Sequence, residues 1–171
     1  MEYFVDFIFL IIIYFLFFYK KWRQKSLQEW TMLTLMYIYF ILVLFVTLMP
    51  FSLPLGVSDN LFLESANFIP FRDLIQNYGG ATREIILNII MMMPFGFLYP
   101  MIKRSGLVRT VATTFLFSLA IETCQLAGVL FGSFYYRSFD VTDLITNTCG
   151  GFLGYLLYIC LQPLIGRLLK H

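Results

Sequence analysis

Between Arg137 and Gly154 the chain reads RSFDVTDLITNTCGGFLG, in which Arg137, Asp140, Asp143 and Asn147 are followed by Gly150, Gly151 and Gly154. Spacings of three and four residues place this polar set on one stripe of a helix. After Asp143 the sequence is apolar for about twenty residues, enough to cross a bilayer, so the stripe enters lipid. A carboxylate at the centre of such a helix costs about 2.5 to 3.5 kcal/mol on insertion scales, and residues of this kind face a protein interior or a water-filled cavity. Partners are therefore expected elsewhere in the chain. Asn88, Glu122 and Gln125, each inside another apolar stretch, are the candidates.

Glu122 is the most demanding of them. It is a single acid well inside a span, where a purely structural glutamine would lose less hydration. It suits a proton donor or a proton-coupled switch. Asn88 and Asn147 also read as ordinary interhelical hydrogen bonds, Asp143 as a helix cap, and Arg137 with Asp140 as a rim ion pair. Together the carboxylates, the arginine and the amides could bind a divalent cation at Asp140, Asp143 and Glu122. They could instead perform acid–base catalysis on a lipid-linked headgroup, or hold a cationic or amide-rich ligand without reacting. Spacing alone leaves the three open.

The elements that position these residues follow from composition. The 171 residues are 60% hydrophobic and 13% charged, and mean hydropathy is +0.79. Soluble domains carry about a quarter charged residues, so an all-α polytopic membrane helix bundle is expected. No basic cluster interleaved with stacking aromatics lies in a soluble stretch, which argues against nucleic acid as a partner. The sole histidine is His171, which removes imidazole-based triads and zinc sites; no resident metal or other cofactor is required. Cys124, Cys149 and Cys160 sit inside spans without a CxxC pair and are expected to be small buried residues.

Five spans are expected, at about Tyr3–Tyr19, Trp30–Met49, Glu84–Met101, Val108–Phe131 and Thr142–Ile165. The first has acidic residues before it and basic ones after it, unlike a secretory signal, so it reads as retained. Pro94, with Gly96, is expected to kink the third span. Lys20, Lys21, Arg23, Lys25, Lys103, Arg104, Arg109, Arg167 and Lys170 are nine of the twelve Lys and Arg residues. Placing them inside gives an outer N-terminus and a cytoplasmic C-terminus. Two N-terminal helices (1–49), an outer interfacial segment (50–83) and a three-helix core (84–171) then make a single domain. Phe68, Ile69, Phe71, Leu74 and Ile75 would be the buried side of the outer segment at the membrane surface. By helix rise, Asn88 and Asn147 lie roughly 6 Å and Glu122 roughly 14 Å below the outer ends of their helices, all in the outer half of the bilayer. Glycines below Asn147 would let a neighbouring helix approach closely, the fourth span being the natural one.

The ordered set Asn67-Phe68-Ile69-Pro70-Phe71, Asn88 with Pro94-Phe95-Gly96, Glu122 with Gln125, and Arg137, Asp140, Asp143, Asn147 with Gly150 and Gly151 resembles the successive motifs of VanZ-like membrane proteins. The resemblance covers about residues 67–158. It implies a multi-pass protein of the bacterial cytoplasmic membrane, linked to resistance to teicoplanin, a lipoglycopeptide whose target is the cell-wall precursor lipid II. Carried over residue by residue, Asn88, Glu122, Gln125, Arg137, Asp140, Asp143 and Asn147 become the expected site. Glu122 is the proton-exchanging group, Asp140 and Asp143 are bases or cation ligands, and Arg137 holds an anionic headgroup. Asn88, Gln125, Asn147, Asn67 and Arg72 bind or orient the ligand. Expected partners are membrane lipids and either the lipoglycopeptide or a lipid-linked envelope component. An enzyme, a non-enzymatic binder or transporter, and a structural membrane partner remain the alternatives.

Overall fold

Apolar length sets the architecture. The structure, a computed structural model, describes residues 2–51, 66–130 and 139–168. Five helices are long and apolar enough to cross a membrane: Tyr3–Trp22, Leu27–Thr47, Ala81–Lys103, Leu107–Val129 and Val141–Leu164. Each spans roughly 30 Å or more, the thickness of a hydrocarbon core. The first comprises α1 (Glu2–Ile13), a π-helical stretch (Tyr14–Tyr19) and α2 (Lys20–Trp22). The others are α3 (Leu27–Thr47), α5 (Ala81–Lys103), α6 (Leu107–Leu130) and α7 (Val141–Leu168), with the short α4 (Arg72–Ile75) before α5. Among the described residues there is no strand, only an isolated β-bridge between Asn67 and Asp140. The all-α, five-span expectation therefore holds. The start of α3 falls earlier than apolarity suggests because a polar cap sets it. Ser26 accepts the Glu29 N–H at 3.3 Å and starts α3 ahead of its apolar run.

Contacts divide the chain into two units. One comprises Met1–Ala66 and Thr123–Phe139. In it, the first span and α3 are tied by the Tyr37 hydroxyl, which donates to the Leu10 carbonyl at 2.7 Å, and by the Tyr14 and Thr34 hydroxyls at 2.9 Å. Tyr14, Phe18, Trp22 and Tyr37 cluster beside the basic turn, where Arg23 stands over the Tyr19 ring. Such amphipathic rings favour the membrane interface.

The other unit comprises Asn67–Glu122 and Asp140–His171. Here α5 and α7 meet main chain to main chain. A Cβ on Gly96 would overlap the Gly151 carbonyl, one on Gly150 the Ile89 carbonyl, and one on Gly154 the Met93 carbonyl. The glycine stripe thus packs chiefly on the third span. The fourth touches it at Gly151, through the Thr114 side chain. The absence of side chains lets the two backbones close together, the small-xxx-small device of membrane helices. α5 is helical throughout, through both Pro94 and Pro100.

Cys124, Cys149 and Cys160 are free and exposed, which corrects the expectation that they are buried. The outward face of a spanning helix meets hydrocarbon, and a thiol behaves there as a small apolar group. Of the outer segment, residues 52–65 lie outside the described residues. In the rest, Phe68, Ile69, Leu74 and Ile75 stay exposed and Phe71 is half-buried.

The seam yields a direct test. Gly96→Ala and Gly154→Ala each force main chains apart and should lower thermal stability in detergent by about 1–3 kcal/mol, the range for overpacking. Gly106→Ala, with nothing within 4 Å of the added Cβ, should leave it unchanged.

Candidate functional site

The site is built where α7 begins. Asp140 is the last residue before that helix, and its Oδ1 accepts the Thr142 N–H at 2.6 Å, an N-terminal cap. Its Oδ2 accepts from Asn67 Nδ2 at 2.9 Å, and the Asn67 carbonyl accepts the Val141 N–H at 3.0 Å. A third link runs the other way, because the Asp140 N–H donates to Glu122 Oε2 at 2.9 Å. One residue thereby joins α6, α7 and the segment before α4. Glu122 is only 2% exposed, so its carboxyl is held inside the protein and not toward lipid.

Asn88, two turns into α5, donates through Nδ2 to Asp143 Oδ1 at 2.6 Å. Asp143 lies in the first turn of α7, three residues after the cap. Glu122, Asp140 and Asp143 are within electrostatic reach of one another, and Glu84 and Asp73 act on Asp143 as well. Below them Asn147 donates to Ser118 Oγ at 2.9 Å, while its own Oδ1 is buried without a partner. Asn67 is 4% exposed, and its Oδ1 accepts the Ile69 N–H at 3.2 Å.

The structure thus brings together Glu122, Asp140, Asp143, Asn67 and Asn88, with Asn147 one turn deeper. Arg72 pairs instead with its neighbour Asp73, at 3.4 Å. Gln125 belongs to the other unit, where its amide donates to the Thr47 carbonyl at 3.0 Å. Arg137 lies outside the described residues. Beside the cluster is a small open hollow lined by Phe71, Asp73, Leu74, Ala81, Glu84, Ile85, Asp140, Thr142 and Asp143. Four carboxyls line it, and among the described residues no basic side chain is in its wall. Among the described residues no three acidic, cysteine or histidine side chains are grouped to hold a metal ion.

Several contributors do not stand out as site residues in the sequence. Thr142 accepts the Phe71 N–H at 2.9 Å, and Phe71 takes a left-handed backbone, φ 56°. That conformation is a genuine outlier for a bulky residue. Thr110, Thr114 and Ser118 are fully buried and stand at four-residue intervals leading to Glu122. This column of small hydroxyl residues is the signal by which the inward face of α6 is readable.

The fold and its cluster define a class: a multi-pass helical membrane protein with buried and half-buried acids and amides gathered where α5 and α7 begin. The VanZ/LLP1 family matches residues 35–162, and the chain belongs to that family. Protein VanZ of Enterococcus faecium is 35% identical over 120 residues, 68% of either chain. No solved structure matches.

Asn67 offers a test of this architecture. Asn67→Ala removes a donor from Asp140 and an acceptor from the Ile69 N–H. Loss of these two part-buried bonds costs about 0.5–1.5 kcal/mol each, so thermal unfolding in detergent should shift down. Asp140→Asn should also destabilise, because an amide that caps Thr142 through its oxygen turns its NH₂ toward the Asn67 NH₂.

Proposed function

We propose that this chain reduces susceptibility to teicoplanin-type lipoglycopeptides, acting in the bacterial cytoplasmic membrane through the acid–amide cluster. The ligand in this reading is the drug or a lipid-linked cell-wall precursor. Family membership supports the general role. The observation that carries the site is the convergence of Glu122, Asp140 and Asp143 with Asn67 and Asn88 beside an acidic hollow.

The roles follow from the bonds. Asp140 positions, since both its oxygens are occupied by Thr142 and Asn67. Asp143, oriented by Asn88, and Glu122, oriented by the Asp140 N–H, are the groups that exchange protons or bonds with a ligand. The hollow is open and has room for little more than a water-sized group, so in this reading it engages an end group of a larger ligand and does not enclose it. A wall of four carboxyls favours a cationic or hydrogen-bond-donating group. Arg137 is proposed to hold an anionic headgroup.

The reading also fixes orientation. With the basic turns inside, the cluster opens to the outer leaflet, where a lipid-anchored ligand resides. Alkaline phosphatase inserted after Tyr78 should be active, and a fluorescent protein fused after His171 should fluoresce. The reverse pattern overturns the orientation.

Glu122→Gln keeps an oxygen to accept the Asp140 N–H and removes only the acid. At matched membrane abundance, Glu122→Gln and Asp143→Asn should each lower the teicoplanin inhibitory concentration, and the affinity of the purified chain should fall about tenfold, as for loss of one charge-assisted bond. Unchanged resistance in both variants sinks the site. Binding carried by hydrogen bonds alone should survive EDTA, whereas a divalent cation at Asp140, Asp143 and Glu122 would make it chelator-sensitive. Incubation with lipid II or drug followed by mass measurement separates turnover from binding, because an enzyme leaves a product of changed mass.

A further inference from the structure

The described part of the outer segment, residues 67–80, exposes a run of large apolar side chains. Ile69 is 58% exposed, Leu74 45%, Ile75 70% and Tyr78 62%, with Phe68 at 63%. Soluble surfaces scatter such residues singly. Here they are concentrated within eleven positions, while the polar Asn67 between them and α7 is buried.

Both ends of the segment are fastened to the first residues of spanning helices. Asn67 accepts the Val141 N–H, and the Phe71 N–H is held by Thr142 Oγ1, so one end lies at the start of α7. The Ala81 N–H donates to the Tyr78 carbonyl at 3.2 Å, so the other end lies at the start of α5. Between them the chain is folded into tight turns and the single turn of α4. It cannot rise far from the level at which α5 and α7 enter hydrocarbon. The first turns of the spanning helix that follows expose apolar side chains as well: Ile86, Leu87 and Ile90 of α5 are 50–55% exposed.

We infer that residues 68–78 form an interfacial docking surface whose partner is the lipid bilayer. The segment lies in the headgroup and upper acyl region at the mouth of α5 and α7, with Ile69, Leu74 and Ile75 inserted and Gln76 and Asn77 toward water. An interfacial segment of this kind buries its apolar face about 5–10 Å below the headgroup boundary. The inference is independent of what the hollow binds.

Single tryptophans placed at Ile69, Ile75 and Gln76 in the full chain, reconstituted in phosphatidylcholine vesicles, read the depth directly. Their emission is taken as the difference from the parent chain, which carries Trp22 and Trp30. Brominated acyl chains should quench Ile69→Trp and Ile75→Trp, and aqueous iodide should quench mainly Gln76→Trp. Iodide quenching of Ile69→Trp and Ile75→Trp, without bromine quenching, overturns the inference. Protection of both from bromine and iodide alike also overturns it, since that is the signature of a second protein copy covering the patch. Because all three positions are exposed, the substitutions leave the core intact; helical circular dichroism of each variant establishes this. A chain that docks yet ignores teicoplanin separates this inference from the functional proposal.

Discussion

Asp140 is the point on which the site depends. A buried carboxyl such as Glu122 needs donors once water is removed, and the donor it receives is the backbone amide just before α7. That amide is held in place because the side chain of the same residue is anchored twice, to the helix it caps and to Asn67. Placement of Glu122, the start of α7 and the course of the preceding segment therefore share one cause. Asp143 then falls within reach of Asn88 because it lies three residues along the helix that Asp140 starts.

Much of this was legible in the sequence. The spacing of Asp140, Asp143 and Asn147, and the isolation of Glu122 in an apolar stretch, point to one inward polar face, and those side chains do face protein. The motif Asn67 to Phe71 marks a segment that proves to be tied to α7. The partnerships were less legible. Spacing puts Gln125 on the stripe with Glu122, yet Thr47 ends α3, where the last carbonyls lack helical donors, and the Gln125 amide satisfies that carbonyl. Arg72 reads as a ligand-binding cation, but an adjacent acid engages it. Neither outcome follows from residue type, because each depends on which backbone or side-chain group is left short by folding.

The glycines show the same division between pattern and partner. Their clustering signals close approach, but the sequence favours α6 as the neighbour because that helix carries small residues too. The main contact is with α5, where Gly96 supplies the missing side chain on the opposing surface. The helix with small hydroxyl side chains meets the seam with one of them, Thr114, and presents Ser118 and Glu122 along the same face.

With carbonyl lying against Cα along the crossing of α5 and α7, a shift of one residue, about 1.5 Å along either axis, would drive backbone into backbone. The pair behaves as a ruler: Asn88 and Asp143 keep their separation because the helices cannot shear past each other. A thicker or thinner bilayer is met by tilting both helices as one body, leaving the distance between Asn88 and Asp143 untouched.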